Sequence, residues 1–337
     1  MTTLANRQYR LAARPVGMPK PSDWEYTTAT TTPPGEGEVL VKVLYLSLDP
    51  AMRGWMNEGK SYIEPVGIGD VMRALGIGKV IASQDPKLPV GTCVSGALGV
   101  QEYATLKARN LFAVDPLLAP LPTYLGVLGM PGMTGYFGLL EVGQPQPGET
   151  VVVSGAAGAV GIVVGQVAKL KGCRVVGIAG GADKCRFVED ELGFDSCVDY
   201  KAGNVKAQLR EQCPQGIDVY FDNVGGEILD DCLALLALHA RVIICGAISQ
   251  YNNTTAVKGP ANYLSLLVNR ARMQGIVVSD YTKQYGEAVR AMGGWLREGK
   301  MKAKEDIVVG LETFPDTLLK LFRGENLGKL VLKVADE

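Results

Sequence analysis

Val151-Val-Val-Ser-Gly-Ala-Ala-Gly-Ala-Val-Gly161 passes from a β-branched run into three glycines and then into a helical spacing that Gly172 closes. The valines favour a strand, and glycine permits a tight turn and close approach of backbone to a ligand. The amino end of the following helix offers unpaired N–H groups to a pyrophosphate. The spacing, G-x-x-G-x-x-G, differs from the commonest dinucleotide fingerprint, so its weight comes from its strand-turn-helix-strand setting.

Outward from this turn, strands and helices alternate. Strands are expected at Thr150–Ser154, Arg174–Ala179, Ser196–Val198, Asp218–Asp222, Arg241–Cys245 and Met273–Val278, with helices such as Ala182–Leu192 and Val205–Gln212 between them. Six such repeats imply an α/β fold, a parallel doubly wound Rossmann sheet with right-handed crossovers. The second strand ends Ile178-Ala-Gly-Gly-Ala-Asp-Lys184, with Gly180 and Gly181 where an acidic residue would grip the ribose hydroxyls of NAD. Lys184 can pair with a 2′-phosphate, which favours NADP. Asp183 argues the other way unless it serves the helix end, and Lys184 read blandly is a solvated helix residue. Two loops, Asp222–Gly226 and Cys245–Asn252, follow strands at the carboxyl edge where such sheets bind ligands. Asn223 can hydrogen-bond a cofactor and Tyr251 can offer a hydroxyl near a reacting carbonyl, or both are ordinary turn residues.

The rest of the chain bounds the chemistry. Its 337 residues suggest about two domains. With 34 Lys plus Arg against 35 Asp plus Glu there is no basic face for nucleic acid. The uncharged window at 150–168 resembles a membrane span only in composition; its four glycines read as buried strand, turn and helix. Arg7, Arg10, Arg14 and Lys20 precede no apolar segment and are read as a solvated N-terminal arm. Seven cysteines without a C-x-x-C pair suggest reduced core thiols in a cytoplasm. The single histidine, His239, is expected in a surface turn. One histidine supplies neither a borderline-soft metal site nor a hydrolytic triad, so the chemistry needs a carried cofactor.

Before residue 125 the pattern is β-rich and punctuated by Gly and Pro, with strands at Val39–Leu46, Gly76–Ala82 and Gly91–Ser95, which suggests an antiparallel barrel-like domain. The tail carries a helix around Asp316–Phe322 stopped by Gly324, then an apolar strand Lys329–Val334 that either extends the parallel sheet or returns to the first domain.

Five stretches stand in the order found in the zinc-independent medium-chain dehydrogenase/reductases: Leu128–Phe137, Gly155–Gly161, Phe221–Gly226, Cys245–Asn252 and Gly324–Lys329. With Tyr45–Pro50 and Met52-Arg-Gly54 they most resemble the prostaglandin reductase, plant double-bond reductase and bacterial curcumin reductase branch. The resemblance implies a GroES-like domain over 1–127 completed by 302–337, a Rossmann NADP-binding domain over 128–301, and a cofactor in the cleft between them. It places Met130 and Thr134 at the nicotinamide half, and Ala157, Gly158, Ala159, Val160 and Gly161 at the pyrophosphate. Lys184 and Tyr200 fall at the adenosine phosphate end. Asn223, the loop of Cys245, Gly246, Ala247, Ile248, Ser249, Gln250 and Tyr251, then Ile276, Val277 and Val278, and finally Asn326 complete the shell. It also implies a homodimer and no metal.

The activity so implied is NADPH-dependent reduction of the C=C bond of a small enone or enal, with Tyr251 as the catalytic donor to the carbonyl oxygen. A quinone reductase or zinc-free alcohol dehydrogenase on the same scaffold is the alternative. Two departures bear on the substrate: Ala51 and Leu75 stand where this family often has tyrosines. Arg53, Trp55, Tyr62 and Arg73 are candidate replacements.

Overall fold

The computed structural model describes residues 3–337. Contacts divide the chain into two units, one of 3–125 with Glu305–Glu337 and one of Gly126–Lys304.

The first unit is built on β-strands. β1 (Ala5–Leu11) and β2 (Trp24–Thr30) form an antiparallel pair, and β3 (Glu38–Ser47) is the spine of a separate sheet. The short helix α1 (Ala51–Trp55) precedes β4 (Leu75–Ser83), β5 (Cys93–Ala97), β6 (Tyr103–Lys107) and β7 (Phe112–Ala113). β3 is apolar almost throughout and buried on both faces, as a strand at the centre of a curled sheet must be. Two register shifts against β4, at Leu40/Val41 and Val43/Tyr45, supply the bend. The N-terminal arm is not solvated. Gln8, Tyr9 and Leu11 are buried in β1, Arg7 pairs with Glu102, and Arg10 donates to the Gly69 carbonyl at 2.8 Å. Its basic residues alternate with the buried ones along a strand, so a charge pattern read alone misassigns it.

The second unit begins with α2 (Met130–Phe137), which runs into a π-helical turn at Gly138–Gly143. Then follow β8 (Thr150–Ser154), α3 (Gly161–Leu170), β9 (Arg174–Ala179), α4 (Ala182–Arg186), β10 (Ser196–Asp199) and α5 (Val205–Gln212). β11 (Ile217–Asp222), α6 (Gly226–Leu233), β12 (Leu236–Ile244), α7 (Ser265–Val268), β13 (Arg272–Gly275) and α8 (Tyr285–Arg297) complete it. The order is β10-β9-β8-β11-β12-β13 with every pair parallel, so consecutive strands step outward from β8 in one direction and then in the other. The uncharged window at 150–168 is the buried β8 and α3, and no helix among the described residues is long and apolar enough to cross a membrane.

Two strand expectations shift. β12 starts at Leu236 rather than Arg241 because a bulge is inserted between its pairings Ile217↔Leu236 and Val219↔Arg241. His239 sits in that bulge at φ 62°, exposed, its N–H on the Asn269 carbonyl at 2.7 Å. β13 ends at Gly275, and a 3-10 turn from Val278 replaces the strand expected to run that far.

The tail belongs to the first unit. β14 (Glu305–Val309), α9 (Phe314–Arg323) and β15 (Lys329–Lys333) return there, β15 lying parallel to β14 and antiparallel to the far half of β3. Gly324 takes φ 64° as the left-handed stop of α9.

Candidate functional site

In a parallel sheet of this order, the loops after β8 and β11 part in opposite directions and leave a crevice at the carboxyl edge. The candidate residues of the second unit gather on these loops and their neighbours.

The glycine-rich turn leaves β8 at Gly155, φ 62°, and enters α3 at Gly161. A Cβ on Gly161 would sit 2.2 Å from the Gly155 carbonyl oxygen and 2.8 Å from Ala156 Cα, both backbone, so nothing larger fits. A Cβ on Gly165, one turn on, would meet the buried ring of Phe194 at 1.8 Å. These two glycines therefore set α3 close against the turn and the sheet. No side chain caps α3. The backbone N–H groups of 157–161 lie at this uncapped amino end, a setting that fits an anionic diphosphate.

At the end of β9, a Cβ on Gly180 would lie 2.6 Å from the Tyr200 hydroxyl, so the phenol lies over this glycine. Gly181 takes φ 100° and donates its N–H to Asp199 Oδ1 at 2.7 Å. Lys184 stands on the first turn of α4, half-buried, and Asp183 is strongly exposed and paired with Arg186 three residues on. The acidic side chain beside the would-be ribose site is thus engaged within its own helix. Asp199, at the end of β10, is an acidic neighbour that the sequence reading did not single out.

The loop after β11 is fastened to the end of β8. The register Val219↔Val151, Tyr220↔Val152, Phe221↔Val153 brings Asp222 beside Ser154. Asp222 Oδ1 accepts from Ser154 Oγ at 3.0 Å, from the Tyr220 hydroxyl at 2.7 Å, and from the N–H groups of Val224 and Gly225 at 3.0 and 2.9 Å. Ser154 Oγ accepts from the Asn223 N–H at 2.9 Å, and Asn223 Nδ2 donates to the Ser154 carbonyl at 2.7 Å. The amide N–H₂ that the sequence offered to a cofactor therefore joins the two loops.

The loop after β12 is seated on this one. Cys245 and Gly246 donate to the Asp222 carbonyl at 2.9 and 3.1 Å, Ile248 to the Asn223 carbonyl at 3.2 Å, and Ser249 Oγ to the Val224 carbonyl at 2.6 Å. Tyr251 folds back over its own loop: its phenol oxygen accepts the Ala247 N–H at 3.1 Å and packs on Gly246. Burial pushes the Cys245 thiol up to about 12, with the charge of Asp222 adding to it, so this thiol stays protonated at neutral pH and is no nucleophile.

Thr134 donates its hydroxyl to the Met130 carbonyl at 2.7 Å within α2. Gly138 lets the end of that helix lie against Phe221 and Ile276, where a Cβ would come within 2.7 Å of the Phe221 ring. Ile276 continues the ladder with one more bond, to the Ile244 carbonyl at 3.1 Å, and Val277 and Val278 follow as the backbone turns. Asn326 lies in the other unit, in the link between α9 and β15, and donates Nδ2 to the Gly328 carbonyl at 2.9 Å. The strand register thus brings together the turn at 157–161, Asn223 and the 245–251 loop. Sequence reasoning missed Ser154 and Asp222, whose only signal was a polar residue closing each of two apolar strands.

Among the described residues, no three His, Cys, Asp or Glu side chains come together in a group able to hold a metal ion.

Comparison with known proteins agrees with this architecture. Residues 7–114 match a family model described as the N-terminal domain of oxidoreductase, and residues 159–293 match one described as zinc-binding dehydrogenase. The chain is 44% identical over 337 residues to the NADPH-dependent curcumin reductase of Escherichia coli strain K12, covering 98% of each. It is 42% identical over 341 residues to a 2-alkenal reductase (NADP(+)-dependent) of Nicotiana tabacum, covering 99% of each. The crystal structure of CurA from Vibrio vulnificus in complex with NADPH superposes with a TM-score of 0.94 at 45% identity, over 98% of this chain and 100% of that one.

Proposed function

Because the chain belongs to the medium-chain dehydrogenase/reductases, in the branch that holds the curcumin, alkenal and prostaglandin reductases, we propose that it reduces the C=C bond of α,β-unsaturated ketones and aldehydes with NADPH. It is an NADP-dependent oxidoreductase acting on carbon-carbon double bonds; the enone and enal substrate class is our own reading. The observation that carries it is the close-packed glycine-rich turn at the switch point, leading into the uncapped amino end of α3, in a chain so close to NADPH-dependent double-bond reductases.

NADPH, when bound, supplies the hydride. The chain's own residues supply its place and the electrostatics. The N–H groups at 157–161 take the diphosphate, and Lys184 with Tyr200 takes the adenosine phosphate end. The fold supports this because Gly180 and Gly181 put no acidic side chain just past β9, and the neighbouring Asp199 is engaged by the Gly181 N–H. As charge grows on the substrate carbonyl oxygen, a hydrogen-bond donor must face it. Tyr251 is our candidate: its oxygen accepts the Ala247 N–H, which makes the phenol a better donor.

We also read the chain as a homodimer. β13 is the last strand of its sheet, all four of its residues are exposed, and Leu264, Leu267 and Val268 of the preceding segment are exposed as well. An edge strand unpaired along one side, next to an exposed apolar segment, supports association with a second copy. The seven free cysteines support a reducing, cytoplasmic setting.

The test is NADPH oxidation followed at 340 nm against 2-alkenals, enones, quinones and simple ketones. Turnover of alkenals and enones is expected; turnover of ketones without enones would overturn the reading.

A further inference from the structure

Asp222 is 1% exposed, and its side chain and backbone carbonyl between them reach all three parts of the crevice. Its Oδ1 gathers the Ser154 hydroxyl from the end of β8, the Tyr220 hydroxyl from its own strand, and the Val224 and Gly225 N–H groups of the next loop. Its backbone carbonyl takes Cys245 and Gly246 of the third loop. The bonding is lopsided. Oδ2 is equally buried and has no hydrogen-bond partner among the described residues. A buried carboxylate with one oxygen unserved is a poor device for stability, because the missing hydrogen bonds cost more than an apolar side chain of the same volume would. Such a group persists where it fixes a geometry that the function needs.

We propose that Asp222 is a positioning residue for the dinucleotide. Its carboxylate ties the end of β8, and with it the glycine-rich turn, to the Asn223–Gly226 loop, on whose backbone carbonyls the Cys245–Tyr251 loop is seated. The N–H groups at 157–161 and the third loop then meet the diphosphate and nicotinamide portions in a fixed arrangement. This rests on the cofactor reading above and adds a residue to it. Asp222 itself touches no ligand and acts through Ser154, Val224 and Gly225. The adenosine end, at Gly180, Lys184 and Tyr200, lies just past β9, on α4 and just past β10, outside the Asp222 bonds.

That separation gives the test. NADPH and adenosine 2′,5′-bisphosphate, which carries only the adenosine end, are titrated calorimetrically into the wild type, Asp222→Ala and Asp222→Asn. Asp222→Ala is expected to weaken NADPH by tenfold or more and to leave the bisphosphate within about twofold. Asp222→Asn, whose amide oxygen still accepts at the Oδ1 position, should recover most of the NADPH affinity. Equal losses for both ligands, or no loss for either, would overturn the proposal. If Asp222→Ala does not fold, Ser154→Ala carries the same test. It removes one donor to Oδ1 and the acceptor of the Asn223 N–H, and a loss confined to NADPH is again required. A wild type that binds the bisphosphate but not NADPH, or neither, would instead refute the cofactor reading itself.

Discussion

At the scale of single residues, two side chains carry the functional reading and fail in different ways when changed. Lys184 is assigned the 2′-phosphate, and a charge-assisted hydrogen bond of that kind is worth about 1.5–3 kcal/mol. Lys184→Ala should therefore weaken NADPH roughly 10- to 100-fold and leave NADH nearly unchanged; equal losses measured by fluorescence titration would refute the assignment. Tyr251 is assigned the carbonyl oxygen. Removing one such donor costs ~10²–10³ in rate elsewhere, so Tyr251→Phe should lower kcat on an enone by that order with the KM for NADPH little changed. Both residues were visible in the sequence by their place after a strand. Asp222 was not, because an acidic residue at a strand end reads equally as a turn former, and only the register against Ser154 shows what it gathers.

At the scale of elements, the glycine-rich turn and α3 were legible because their constraint is local: a β-branched run, then glycines, then a helical period. The same close packing predicts the outcome of filling it. Gly161→Ala puts a methyl group 2.2 Å from the Gly155 carbonyl oxygen, so the turn must open. Its melting temperature should fall, consistent with about 1–3 kcal/mol of overpacking, and NADPH binding should be lost with it. Between β8 and β12 the sheet is braced by Arg241, which donates to Glu149 Oε1 at 2.9 Å and to the Gly143 carbonyl at 2.9 Å. Burial alone would raise the Glu149 carboxyl, but the Arg241 guanidinium and the Gln146 N–H overcome it and hold it below the usual carboxylate range. A depressed folded-state value means that this bond stabilises the fold above the unfolded-state pKa of about 4.3 and ceases to as pH falls through the lower, folded one. Glu149→Gln should cost about 2 kcal/mol in a urea melt at pH 7, and the gap to wild type should narrow as pH falls below the unfolded-state value. A gap that stays constant throughout acidification would contradict the ion pair.

At the scale of the whole molecule, the parallel sheet could be read from periodicity, whereas the first unit could not be read in full. β1 carries Arg7 and Arg10 between buried residues, and a basic N-terminus masks that pattern. The tail strand left two choices open because an apolar pentapeptide does not say which sheet it joins; its pairing with Ser47, Leu46 and Tyr45 decides it. His239 shows the same limit, since a turn and a bulge inside a strand both ask for a positive φ. What the chain does rests on one claim, that the second unit takes up a reduced dinucleotide through the amino end of α3. Isothermal titration of the intact protein with NADPH tests it most directly. One NADPH should bind per chain, saturably and at least tenfold tighter than NADH; a flat titration with both nucleotides would contradict that claim.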